Sequence, residues 1–297
     1  MHALSNSTPL TVGKLLGRTI GLYRAHSGIF LRTAAIFYVP IAALSLFVEN
    51  DANNFLFTLF VWPIEAFASL SLIAHCVDSL HGRPLAVRTA VGRGLRRLPA
   101  DIGMILATIA VFTGVALVWA IPFWVGLLNA DIPFDEIRYA FSSLVSRGDI
   151  EGINNLLGDV LWSGFGFCLS LVLILTVFFY LSTRWLLTEV ALMADGTGPL
   201  ESLRRSWNLS RDFVLRTAGY LILLSIGMGL VGLVGALVEF AVVALVPSVD
   251  QSWKSGLNSA VSNLLSIITT PFYVSAIVLY YYDLRLRKEK YDFEVVQ

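Results

Sequence analysis

Charge is scarce in this sequence, and so are the residues of redox and metal chemistry. Charged side chains make up 14% of the 297-residue chain, against about 25% in ordinary soluble domains. Lys and Arg number 21 and so do Asp and Glu, so no basic excess points to nucleic acid. Two cysteines cannot make a disulfide framework, and of the four histidines His2, His26 and His81 have no metal-ligand spacing. What is abundant is hydrophobic: 56% of residues, with a mean hydropathy of +0.73. These numbers describe an integral membrane protein.

A bilayer core of about 30 Å needs about 20 mostly apolar residues per helix. Six stretches meet that length, over 28–49, 55–80, 101–128, 160–190, 217–246 and 258–283. None shows the two-residue alternation of an outer-membrane barrel. The expected fold is an all-α, polytopic membrane helix bundle. The segment Met1–Pro9 has no basic stretch and no small-residue cleavage site, so no signal peptide is expected.

Lys and Arg set the orientation. Sixteen of the 21 lie in residues 1–27, 81–100, 195–216 and 284–297, and three (Arg138, Arg147 and Lys254) lie on the opposite side. This split predicts both termini in the cytoplasm and a location in the cell (inner) membrane. The outer loop over 129–159 has room for two short helices, from Pro133 and from Asp149.

The chain also repeats itself. With Pro9 written above Pro84, 11 of the first 29 positions are identical without a gap, Gly17/Gly92, Arg18/Arg93, Gly28/Gly103 and Phe37/Phe112 among them. Biased composition alone gives about three such matches. A weaker third copy starts at Pro199. The expected organisation is one membrane domain built of three parallel hairpin repeats, over 9–80, 84–195 and 199–290. Each opens with a cytoplasmic amphipathic helix. Thr11 is placed to cap the first. In the second and third, Arg88, Arg93, Arg96, Arg97, Arg204 and Arg205 alternate with Val, Leu and Trp, the pattern of helices lying at the headgroup level. These six arginines are the expected contacts to anionic lipids or to a membrane or cytoplasmic protein partner.

Three segments resemble a known family. They are Leu10-Thr11-Val12-Gly13-Lys14-Leu15-Leu16 with Tyr23-Arg24, the middle Ser202-Leu203-Arg204-Arg205-Ser206-Trp207-Asn208-Leu209, and the closing Tyr280-Tyr281-Tyr282-Asp283-Leu284-Arg285-Leu286-Arg287-Lys288-Glu289. Together they resemble bacterial and archaeal proteins related to the glycerophosphoryl diester phosphodiesterase membrane domain. Some relatives join this region to a soluble phosphodiesterase. The longest stretch between spans here is about 31 residues, short of a domain. The resemblance therefore implies the membrane fold and no catalytic activity.

Motifs for chemistry are few. Gly227, Gly229 and Gly232 spell G-x-G-x-x-G, but inside an apolar span, where close helix packing is the expected role. His75 and Asp78 share a helix face, and two ligands on one helix do not make a metal site. No cofactor, metal or catalytic residues are expected. Charges inside a membrane are costly and mark candidate sites. Arg184 and Glu189, toward one end of the fourth span, read as interfacial anchors. Glu65 lies ten residues into its span, roughly 15 Å deep at 1.5 Å per residue. Glu239 and Asn263 enter from the same side, and the three form the expected intramembrane polar site. The leading expectation is a non-enzymatic scaffold or accessory subunit with a basic cytoplasmic collar. The alternative is a small-solute or ion transporter working through Glu65 and Glu239.

Overall fold

The computed structural model describes the backbone of residues 10–47, 51–83, 86–129, 143, 146–147, 150–245 and 251–289. Side chains at 51–56, 119–129, 150–151, 153–168, 239, 242–245, 251–252 and 255 lie outside that description. Helix dominates, and no strand occurs among the described residues. This is the outcome that hydrocarbon enforces, because a helix satisfies its own backbone polar groups. The helices are α1 (Val12–Ser45), α2 (Asp51–Leu80), α3 (Val87–Asn129), α4 (Ile150–Trp185), α5 (Thr188–Ala194), α6 (Pro199–Ser210), α7 (Val214–Leu245) and α8 (Gln251–Glu289). A single 3-10 turn, Arg211–Phe213, joins α6 to α7. Six helices are long and apolar enough to cross a membrane. The chain is a multi-pass membrane protein.

The amphipathic openings run on into their spans. α1 continues for 34 residues with a break in helical geometry at His26 (φ −121°, ψ 15°), two residues before the span read from the sequence. Thr11 caps it as expected, its side chain accepting the N–H of Lys14. In the third opening α6 is a helix of its own. It starts on Pro199, whose missing N–H costs nothing at that position. Of the two helices expected in the 129–159 loop, the starts at Pro133 and Asp149 lie outside the described residues, and from Ile150 the chain is already in α4.

The described residues divide into two compact units. One contains α1, α2, α3 as far as Ile105, and the chain from Thr183 onward; the other is Leu106–Ser182. In the second unit Phe112 and Phe178 place their rings 4.4 Å apart. Large apolar side chains such as Leu117 and Leu175 are exposed there, as lipid-facing positions must be.

The first unit is organised around α8. Half of its most apolar stretch is buried, against 11% for Pro199–Val238. α1 packs against it more extensively than any other described helix does, and α2 and α7 pack on it as well. Leu15, Phe30, Leu72, Ile73, Leu187, Tyr220, Val278 and Tyr280 form the core between them. Tyr220 and Tyr280 stack at 4.4 Å, an arrangement worth about 0.5–1.5 kcal/mol beyond the area it buries. Gly256 lets α8 pass the end of α1, since a Cβ there would lie 2.8 Å from the Ser45 carbonyl oxygen.

The glycine run in α7 divides in its role. Gly235 meets the side chain of Leu265, as expected for close packing. Gly227, Gly229 and Gly232 have nothing within 4 Å of where a Cβ would stand. Instead Gly232, Gly235 and Ala236 line a cavity of about 350 Å³ facing Asn258, Ser262 and Thr269 of α8. Close packing therefore holds for the last glycine and not for the G-x-G-x-x-G itself.

Candidate functional site

Two carboxylates organise the basic end of the first unit. Asp283, in the last turns of α8, accepts the Leu10 N–H at 2.9 Å through one oxygen. Its other oxygen accepts Arg216 Nη2 at 2.8 Å and Arg287 Nε at 2.9 Å. Both guanidiniums also donate to the Leu10 carbonyl at 2.6 Å. The start of α1, the start of α7 and the end of α8 are thereby joined at one fully buried carboxylate side chain. Asp195, in the loop after α5, is the second centre. It accepts Arg205 Nε at 2.9 Å, Arg285 Nη1 at 3.0 Å and the Tyr281 hydroxyl at 2.6 Å. Glu289 pairs in turn with Arg205 and Arg285. The closing segment of the chain is thus a set of ion-pair partners, each fixed by helical spacing on α8.

The middle segment has a different role. Ser202, Ser206 and Ser210 recur every four residues on α6, and all three are fully buried. The Ser206 hydroxyl donates to the Arg184 carbonyl at 2.7 Å and accepts the Leu187 N–H at 3.2 Å. These are backbone groups left over where α4 ends and α5 begins. The serine hydroxyls substitute for the missing helical partners. Arg184, expected as an interfacial anchor, is only 3% exposed, and its guanidinium lies 4.1 Å over the Trp207 ring.

The six collar arginines separate into two groups. Arg205 is held in the Asp195 centre, and Arg93 pairs with Asp78 at 2.9 Å. Arg97 donates to the Thr197 carbonyl at 3.2 Å. Its guanidinium also fills the place where Gly196 would carry a side chain, and Gly196 has φ +69°, so only glycine suits that turn. Arg88, Arg96 and Arg204 are exposed, and among the described residues no ion pair holds them.

Of the three residues expected to form an intramembrane site, Glu65 and Asn263 are both partly buried. Asn263 donates to Ser259 of its own helix at 2.8 Å. Glu65 lies within electrostatic reach of Tyr38, as does Glu189. Among the described residues no hydrogen bond joins Glu65 to Asn263, and the side chain of Glu239 is outside the description. A different polar group forms across α2, α3 and α5. Glu189 Oε2 accepts the Ser69 hydroxyl at 2.6 Å. Asp101 is fully buried, with both carboxylate oxygens lacking a hydrogen-bond partner, and lies within charge range of Glu189. Among the described residues no group of three metal-binding side chains occurs. His75 is buried with Phe30 beside it, and Cys76 is a buried thiol facing Ser275.

Residues 156–294 match the family described as the membrane domain of glycerophosphoryl diester phosphodiesterase. The middle and closing segments both fall inside the matched residues, and the opening segment around Leu10 lies outside them. A search of curated proteins and one of solved structures each found no match.

Proposed function

We propose that this protein is a non-enzymatic scaffold or accessory subunit of the cell (inner) membrane. Both termini lie in the cytoplasm, and the basic end meets anionic phospholipid headgroups or an acidic partner. The observation that carries the reading is the division of the arginines. Arg205, Arg216, Arg285 and Arg287 are engaged within the protein. They make the end of the bundle a fixed platform. Arg88, Arg96 and Arg204 remain directed outward from it. The sixteen-to-three distribution of basic residues supports the same orientation.

The test is a variant carrying Arg88→Gln, Arg96→Gln and Arg204→Gln. A basic residue near an anionic surface is worth about 1 kcal/mol, so three together contribute about 3 kcal/mol, roughly a hundredfold in affinity. Copurified anionic lipid, or the retained partner, should fall accordingly. Reporter fusions at residues 90 and 145 establish that orientation is preserved. A correctly oriented variant that keeps its full complement of lipid and partner refutes the reading.

A further inference from the structure

Among the described residues Asp101 is a buried carboxylate with both oxygens lacking a hydrogen-bond partner, and it lies within charge range of Glu189. Asp101 belongs to α3 and Glu189 to the first turn of α5, immediately after the helix break that Ser206 stabilises. Ser69 of α2 supplies one hydrogen bond, to Glu189, and leaves Asp101 with none. Buried carboxylate oxygens without donors are rare, because losing water without a replacement partner is costly. A second carboxylate within charge range, the partly buried Glu189, raises that cost further, since each repels the other.

The surroundings do not relieve it. Glu189 lies within electrostatic reach of Tyr38 from α1 and Tyr273 from α8 and accepts the Ser69 hydroxyl from α2; all three are neutral hydroxyls. The nearest basic residue in sequence, Arg97, stands one helical turn before Asp101. Its guanidinium turns instead to the Thr197 carbonyl and the Gly196 loop. Among the described residues no ion pair reaches either carboxylate. The protein therefore encloses an excess of negative charge with acceptor oxygens unfilled, where a positive charge is needed to complete it.

We propose that Asp101 and Glu189 hold one small monovalent cation, a proton or an alkali-metal ion, between α2, α3 and α5. A proton would bond to one carboxyl and hydrogen-bond to the other. An alkali-metal ion would take both Asp101 oxygens, Glu189 and the Ser69 hydroxyl, an all-oxygen set that suits a hard cation. The inference stands apart from the collar: it uses none of the exposed arginines, and either can fail alone.

The experiment uses the full-length protein purified in detergent. Infrared difference spectra at pH 7 in choline chloride read protonated carboxyl groups directly. Thermal unfolding against added NaCl, KCl or LiCl, with choline chloride at equal ionic strength, reads metal binding. A proton-loaded site gives a buried carboxylic-acid C=O band that shifts in heavy water, disappears in Asp101→Asn or Glu189→Gln, and ignores alkali-metal salts. A metal-loaded site gives no such band but a saturable, ion-selective rise in Tm, absent in Asp101→Asn. If neither the band nor a selective rise is found in the unmodified protein, both carboxylates are ionised and empty, and the proposal falls. That decision rests on the unmodified protein, so it stands even where a variant fails to fold. The conservative Ser69→Ala, which keeps both carboxyls, should shift the band or weaken the ion's effect without abolishing it.

Discussion

Replacing Asp283 by Asn removes one negative charge and almost no volume, which makes it a direct probe of the ion-pair centre at the basic end. The carboxylate accepts three donors, Leu10 N, Arg216 Nη2 and Arg287 Nε, at 2.8–2.9 Å, and its side chain has no exposed surface. Asparagine keeps one acceptor oxygen and turns an –NH₂ toward a donor, so at least one of the three contacts becomes donor against donor. Two guanidiniums also lose their counter-ion. Breaking a buried pair by removing one partner costs about 3–5 kcal/mol. Arg216 and Arg287 keep 20% and 19% exposure and retain the Leu10 carbonyl, which places the expected loss near the lower end, about 3 kcal/mol. That corresponds to roughly a hundredfold in the folding equilibrium. Unfolding in mixed micelles with increasing SDS measures it, and proteolysis near Leu10 should accelerate in parallel as the chain start comes free. A double-mutant cycle with Arg216→Gln should give a coupling of about 1–3 kcal/mol. A loss below about 1 kcal/mol, or additivity of the two changes within 0.5 kcal/mol, would refute the reasoning.

Two further predictions concern local geometry. Ser206→Ala leaves the buried Leu187 N–H without an acceptor. It should cost about 1–3 kcal/mol and speed amide exchange at Leu187; unchanged protection there would show that the hydroxyl does not hold the α4–α5 break. Gly256→Ala puts a methyl group 2.8 Å from the Ser45 carbonyl oxygen and 3.2 Å from Leu46 Cα, backbone atoms that cannot rotate aside. The sign of the effect decides the matter: helix propensity alone would stabilise by about 1 kcal/mol, whereas overpacking destabilises by about 1–3 kcal/mol. A rise in stability under SDS titration would mean that α8 does not pass the end of α1 as closely as described.

The spans were legible because lipid allows few alternatives, and each run of apolar residues had to be a helix. The cap at Thr11 was legible because it acts across three residues. The ion-pair centres were not, because their partners are far apart in sequence: Leu10 and Asp283 are separated by 273 positions, Asp195 and Arg285 by 90. The closing segment could be matched to a family without its partners being visible. Glu189 illustrates the same limit from the other side. Near the end of an apolar run, beside Arg184, it reads as an interfacial anchor; only the break at Leu186–Leu187 and the hydroxyl of Ser69 on another helix place it inside the protein.

Periodicity carries more information about the arginines than their number does. Among the described residues of α3 the buried positions are Ala90, Gly94, Asp101 and Met104, and with the partly buried Arg97 they step by four, three, four and three residues. That is one continuous helix face, and it starts where the helix is still rich in arginine. Arg97 stands on this face, so its guanidinium is carried inward to the Thr197 carbonyl. Arg88 and Arg96 stand off it and remain exposed. α6 follows the same rule: Ser202, Ser206 and Ser210 mark the inward face, Arg205 borders it closely enough to reach Asp195, and Arg204 points away. A net-charge count treats all these residues as one collar. The small-residue stripe separates those that hold the bundle together from those free to meet a surface. It also puts Asp101 on the inward face one turn beyond Arg97. Substituting Gly94, the small residue at the centre of that stripe, should therefore disturb Arg97 and Asp101 together and leave Arg88 and Arg96 as they are.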